Sequence, residues 1–162
     1  MTIDINIKKI GAEVLYIKSD YIYYLQINYI SEIITQMFLC MNNNNGIGLA
    51  SSQIGFLKRM FIYLNVNKLH IVLNEICINP VFFYKSFDSY VDYEGCLSVF
   101  NFNGLVKRFI KIGVYYHNFN FKLIKNYLFK INSRIVQHEI DHLNGILFIS
   151  RLCNIRVIKY II

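Results

Sequence analysis

Residues 137–145 read Gln-His-Glu-Ile-Asp-His-Leu-Asn-Gly, QHEIDHLNG. Within them, His138, Glu139 and His142 form His-Glu-x-x-His. Residues four apart on an α-helix lie on one face, so His138 and His142 can aim two imidazoles at one cation. Glu139 stands about 100° round the helix from His138, where its carboxylate can reach a water on that cation. Such a carboxylate takes a proton from the water and later delivers it to a leaving group. A helical pair of histidines also occurs without a metal, one satisfied in the core and one exposed. The stretch alone leaves both readings open.

A third ligand separates the classes. One metalloprotease pattern continues as His-Glu-x-x-His-x-x-Gly-x-x-His. The chain follows it through Gly145 and then has Phe148 at the last His. Phenylalanine cannot ligate. His70 and His117 fall in predicted strand ends or turns and read as ordinary edge histidines. Cys96, in Glu94-Gly95-Cys96-Leu97-Ser98, is the better candidate. The glycine before it lets backbone come close to a site. A thiolate with two imidazoles leaves one tetrahedral position for water, the arrangement of a hydrolytic centre. The competing reading is a small buried hydrophobe.

Outward from these residues the chain predicts few helices. Ile30, Ile33, Ile34, Met37, Phe38 and Met41 make one apolar stripe, so a helix is expected from about Tyr29 to Met41. Asn28 is its expected N-cap, and the run Asn42 to Gly46 its end. That stripe reads as core. Strands are expected over Arg59–Val66, His70–Asn79, Leu105–Tyr116 and Phe121–Phe129, with a turn at His117–Asn120. Asn132 is placed to cap the QHEIDHLNG helix and Asn144-Gly145 to end it. Helix, many strands and helix, with no βαβ alternation, predict an α+β fold. Its sheets should be largely antiparallel and packed around a central metal-binding helix.

Composition limits the classes. The 162 residues suit a single catalytic domain, 1–162, with a short C-terminal segment after about residue 150. Hydrophobic residues make up 55% and charged residues 17%, which favours a packed core over disorder. Abundant Ile, Asn, Lys, Tyr and Phe are the mark of an A/T-rich, reduced genome, so a Tyr or Asn is not functional by default. The net charge of +7 comes from scattered Lys and Arg without a basic run, so no specific nucleic-acid binding is expected. Cys40, Cys77, Cys96 and Cys153, with no secretory signal, read as reduced thiols. The longest uncharged stretch, Ile33–Leu57, carries four consecutive Asn, so no membrane span is expected.

Three segments in order, GIGLASSQ at Gly46–Gln53, EGCLS at Glu94–Ser98 and QHEIDHLNG, resemble the peptide deformylase family. Its motifs are G-x-G-L-A-A-x-Q, E-G-C-L-S and Q-H-E-x-D-H-L, and the resemblance spans about Ile30 to Phe148. It implies an enzyme that removes the formyl group from the N-terminal methionine of new polypeptides. Cys96, His138 and His142 would hold one divalent ion, Fe(II), with Zn, Ni or Co as substitutes. Glu139 would be general base and then general acid. The Leu97 N–H and the Gln53 amide would donate to the oxyanion, a contribution of ~3–4 kcal/mol per donor. Gly48 would offer main-chain hydrogen bonds to an extended peptide. Methionine needs an apolar slot, for which Ile47, Ile131 and Ile135 are candidate walls. Gln137 is expected to hydrogen-bond behind a ligand, and Glu94 to pair with Arg108.

The resemblance also implies N-formylmethionyl nascent peptides as substrates and a transient ribosome contact, which the short C-terminus weakens. The location would be bacterial cytoplasm, or an organelle if the chain is a processed form. Departures from the family pattern are Ser51 for the second Ala, Phe100 for a Pro and Asn103 for a substrate-facing Arg. The alternatives are a different His-Glu-x-x-His metallopeptidase, or a degraded metal- or peptide-binding relic.

Overall fold

The structure is a computed structural model describing residues 6–66, 72–153 and 158–160, with residues 27, 28 and 158–160 described as backbone. His70, Arg156 and Lys159 lie outside the described side chains. Helix α1 spans Ile27–Asn43, longer at both ends than the stripe predicts. Gln26 occupies the N-cap position without a side-chain bond, so Asn28 falls inside the helix rather than capping it. The stripe itself is core: Ile30, Ile33, Ile34, Met37 and Met41 pack with Leu49, Met60, Ile62 and Ile78. Asn45 turns left-handed at φ 53°, and the Gly46 N–H closes the end on the Met41 carbonyl.

Eight strands follow among the described residues: β1 Gly48–Ala50, β2 Met60–Val66, β3 Val72–Lys85, β4 Ser89–Cys96, β5 Val99–Phe109, β6 Lys111–His117, β7 Leu123–Phe129 and β8 Ile158–Tyr160. One sheet has the order β1-β2-β3-β6-β7, the other β4-β5-β8. The strand pairs are antiparallel. The predicted strand Leu105–Tyr116 is two strands, β5 and β6, in different sheets. Alternation persists through the break at Ile110, and period-two patterning says nothing about which partner a strand chooses. β3 also runs on past Asn79, because a left-handed Asn79 and a register shift between Ile78 and Val81 make a bulge that accepts Pro80.

Helix α2, Lys130–Leu143, carries QHEIDHL through the middle of the protein, and Ser133 to Leu143 are all buried. Its Ile135, Val136, Ile140 and Leu143 pack on Phe61, Tyr63, Ile112, Val114 and Leu128 of the larger sheet. Its polar side turns towards β4 and β5. Four consecutive buried residues in β2, Met60 to Tyr63, follow from α1 covering one face and α2 the other. Asn132 does not cap α2; the cap position is Phe129. The Asn132 amide instead bonds the Val66 N–H and C=O, tying the first turn to β2.

At the far end of α2, the Ile146 N–H reaches the Asp141 carbonyl and the Gly145 N–H that of His142, the crossed pair of a Schellman cap. Gly145 sits at φ 72°, and a Cβ there would stand 2.5 Å from the Tyr16 carbonyl oxygen, so both conformation and space demand glycine.

Candidate active site

His138 and His142 project from α2 with their Nε2 atoms 3.2 Å apart. Cys96 closes β4, where a register shift after Gly95 turns its Sγ to within 3.1 Å of the His142 Nε2. The three donor atoms lie within 4.8 Å of one another. Imidazole nitrogens bound at ~2.0–2.1 Å to one tetrahedral ion stand about 3.3 Å apart. This donor set therefore fits a divalent ion in chemistry and in spacing. Phe148, at the position where the protease pattern has its last His, is buried with its ring 6.0 Å from that of His138. His117 stacks on Phe121 instead. Cys40 and Cys77 are buried in the core clusters, and Cys153 is exposed.

A charged layer stands behind the donors. The Glu94 carboxylate accepts from His138 Nδ1 at 3.0 Å, from Arg108 Nε and Nη2 at 2.8 and 2.9 Å, and from Arg134 Nη1 at 2.7 Å. Burial opposes its charge, but the hydrogen bonds from Arg108 and His138 outweigh it and hold Glu94 well below the usual carboxylate range. Arg108 also reaches Asp141, which Arg151 grips from outside. Burial likewise opposes charge on His138, yet bonds from Cys96 and Glu94 push its pKa up; burial and the His138 charge push His142 down. One ring is thus fixed by an acceptor behind it, as metal-bound histidines usually are. The Glu94–Arg108 pair is the expected one; Arg134, Asp141 and Arg151 join it without a sequence signal of their own. Asp141 stands inside QHEIDHLNG, three residues after His138.

Glu139 is 3% exposed, its Oε2 has no hydrogen-bond partner, and burial raises its carboxyl to about 7. Gly48 makes its room. A Cβ at Gly48 would lie 2.4 Å from Glu139 Oε1 and 3.1 Å from Ile135 Cγ2. Gly46 likewise yields to Leu97, whose Cδ1 would be 2.7 Å from an added Cβ. Gln53 sits in the short turn Ser51–Ile54. Its Oε1 accepts from the Ala50 N–H at 2.8 Å, which sends Nε2 towards Ser98 Oγ at 3.1 Å and Cys96 Sγ at 3.4 Å. Buried Ser51 is accommodated by a bond to the Lys58 carbonyl, so this departure has a local role.

These groups border one cavity of about 550 Å³. Gly48, Gln53, Cys96, Leu97, His138 and Glu139 line it. Ile47, Ile131 and Ile135 line it too, the first two half-exposed and the third buried. Phe100 and Asn103 stand in its wall, and Asn103 Oδ1 occupies the space a Gly95 side chain would need. Gln137 differs from expectation. Its amide donates to the Phe109 carbonyl and to Ser133 and accepts from the Phe109 N–H, so it anchors α2 to β5 rather than backing a ligand.

A family model described as Polypeptide deformylase matches residues 5–157. A peptide deformylase of Thermoanaerobacter pseudethanolicus is 38% identical over 146 residues, covering 90% of this chain and 87% of that relative. Among solved structures, a probable peptide deformylase from Synechococcus phage S-SSM7 superposes with a TM-score of 0.86 at 37% identity, over 92% of this chain and all of that one. The class I type b peptide deformylase of Acinetobacter baumannii, solved with Met-Ala-Ser bound, gives a TM-score of 0.87 at 28% identity, over 94% and 100% of the two chains.

Proposed function

The chain belongs to the polypeptide deformylase family, and we propose that Cys96, His138 and His142 hold its metal ion while Glu139 moves the protons. The protein is a metal-dependent hydrolase that removes the formyl group from the N-terminus of newly made polypeptides and releases formate. One observation supports the assignment most: an unpartnered, buried Glu139 oxygen opens beside three donor atoms grouped for one ion.

The bound ion supplies a Lewis acid, lowering the pKa of water and polarising the formyl carbonyl. The remaining work falls to the chain. Glu139, with a carboxyl near neutrality, accepts a proton from the attacking water and passes it to the departing amine. The Gln53 Nε2–H and the Leu97 N–H donate to the oxygen that becomes negative as the carbon turns tetrahedral. The bond from Ala50 keeps the Gln53 donor pointed at the site without reorganisation. The Gly48 main chain pairs with the extended peptide. Ile47, Ile131 and Ile135 take the methionine side chain, whose burial contributes on the order of 2 kcal/mol. Arg108 and Arg134 keep Glu94 charged, and Glu94 keeps His138 oriented.

We read the ion as Fe(II), with Zn, Ni or Co able to use the same donors. Residues 1–162 act as one catalytic domain, a reading supported by the family match over 5–157. The relatives named above are bacterial or phage proteins, which supports action on nascent chains in bacterial cytoplasm; a transient ribosome contact belongs to the same proposal. No helix among the described residues is long and apolar enough to cross a membrane. The test is anaerobic purification, metal analysis and a formate-release assay on formyl-Met-Ala-Ser. Stoichiometric iron and formate release are expected, with Cys96→Ser, His138→Ala and His142→Ala each losing metal. Full metal content in those three variants would refute the ligand set. Air should lower the activity of the iron form, and nickel substitution should protect it.

A further inference from the structure

The outer face of β6, β7 and the adjoining half of β3 lies opposite α2, and register decides what it carries. Lys111, Gly113 and Tyr115 of β6 pair with Phe129, Tyr127 and Lys125 of β7. The residues between them, Ile112, Val114 and Leu128, point the other way into the α2 core. Gly113 leaves a gap that the Phe83 ring of β3 fills, with three ring atoms 2.5 to 3.0 Å from where a Cβ would be. Tyr115 packs 4.5 Å from that ring and Tyr127 5.3 Å, and Tyr127 meets Tyr84 at 6.0 Å. The result is a continuous aromatic strip across three strands. Tyr127 and Phe129 are about half exposed, and Phe87, in the connection beside Lys111, is wholly exposed.

Cations lie on this strip. The Lys111 Nζ is 4.7 Å from the Tyr127 ring centre and 5.1 Å from that of Phe129; the Lys125 Nζ is 5.1 Å from Phe83. No ion pair joins either lysine to a carboxylate among the described residues. The acid of these strands, Glu75, is turned towards Asn65 and Tyr63, and exposed Asp88 stands in the connection near the Lys111 end.

We propose that this face binds single-stranded RNA through Lys111, Lys125 and the rings between them. Lys125 is exposed and Lys111 half-buried; an ammonium that still reaches water gains only ~0.5–1 kcal/mol on a ring, so a phosphate can draw it away and free the ring face for a base. Phosphates and bases are then recognised by neighbouring groups on one surface. A second copy of the chain would set Lys111 and Lys125 against themselves. An anionic bilayer would use the charge but has nothing planar to lay on the rings. The cluster is invisible as a basic run because it is assembled by pairing between strands. It is also separate from the cavity, which lies on the α2 side of the sheet.

The test uses the metal-loaded protein and a labelled oligouridylate of ~20 nucleotides, measured by anisotropy between ~50 and ~200 mM salt. Binding should weaken with salt. Lys111→Gln with Lys125→Gln should lower the slope of log affinity on log salt by about 1.4, two contacts at ~0.7 each. Phe87→Ala with Tyr127→Leu should weaken binding about fivefold or more at unchanged slope. Both should release formate at the parent rate. Lys18→Gln with Lys107→Gln, exposed lysines elsewhere, should change affinity less than about twofold. The proposal is overturned by absent RNA binding, by equal losses in the Lys18 and Lys107 variant, by capture on phosphatidylglycerol vesicles in place of RNA, or by dimerisation that the same substitutions abolish while RNA stays unbound.

Discussion

The layer between α2 and the smaller sheet, and the outer face of the five-stranded sheet, treat positive charge in opposite ways. On the α2 side, Arg108 and Arg134 are buried, and their guanidiniums are spent on Glu94, Asp141 and backbone carbonyls. On the outer side, Lys111 and Lys125 rest on rings, reach water and meet no described carboxylate. A buried charge without its partner is expensive, so the inner network holds one arrangement and can fix His138 in place. A solvated ammonium on a flexible stem is free to exchange partners. The inner face suits precise chemistry, and the outer face suits contact with something that arrives and leaves.

The sharpest separation of chemistry from architecture is Glu139→Gln. Its carboxyl is pushed up to about 7 by burial, so the charged form gains nothing from folding. The neutral amide should leave the melting temperature unchanged or slightly higher. Formate release should fall ~10²–10⁴-fold with metal content intact. A large drop in stability would mean that Glu139 belongs to the structural network instead.

Glu94→Gln should do the reverse and strike the fold first. It would leave Arg108 and Arg134 buried without their carboxylate, at a cost of about 3–5 kcal/mol in denaturant unfolding. The pH dependence has a definite sign. Glu94 has a folded pKa below its unfolded value near ~4.3, so its stabilisation is present above that pH and is lost as pH falls towards the folded pKa. Below pH ~5 the parent should lose stability steeply as pH falls, and Glu94→Gln more gently. Parallel curves for the two proteins would assign the acid sensitivity elsewhere.

Gly48→Ala tests the contact between backbone and base. The added Cβ meets the far end of a side chain, Glu139 Oε1, rather than main chain. The carboxylate can move aside, so unfolding should change by less than about 1 kcal/mol. Activity should fall by about 10²-fold, the scale set by misplacing a reacting group by ~1 Å. Parent activity in this variant would show that Glu139 has space to spare.

These regions also differ in how far the sequence discloses them. The spacing in QHEIDHLNG puts His138 and His142 on one side of a helix, a purely local consequence of helical pitch. The stripe from Ile30 to Met41 announces α1 for the same reason. Cys96 and Gln53 are far away in sequence; the EGCLS and GIGLASSQ motifs flagged them, and only the fold brings them to α2. Arg134, Asp141 and Arg151 are not legible locally, because a charge network is defined by who faces whom across β4, β5, α2 and the turn at Phe148–Arg151. Asn132 looked like a cap because its type suits caps, but its tertiary bonds to Val66 took precedence over local propensity. The division of Leu105–Tyr116 between two sheets was hidden because alternation is blind to partners. The outer strip was hidden most deeply, since Lys111, Tyr127 and Phe83 meet only through register.

The smallest effect belongs to that strip. Lys111→Gln with Lys125→Gln removes one half-buried and one exposed cation–π group and no buried partner. Each lysine on its rings contributes about 0.5–1 kcal/mol, and the loss of two positive charges from a chain of net charge +7 relieves repulsion. The two terms oppose each other. Unfolding free energy should therefore stay within about 1 kcal/mol of the parent, against several for Glu94→Gln. A loss as large as that of Glu94→Gln would mean that these lysines hold β6 and β7 together and are not available to a partner. A neutral result leaves the aromatic strip standing on its own strand pairing, with its cations free to move to a phosphate.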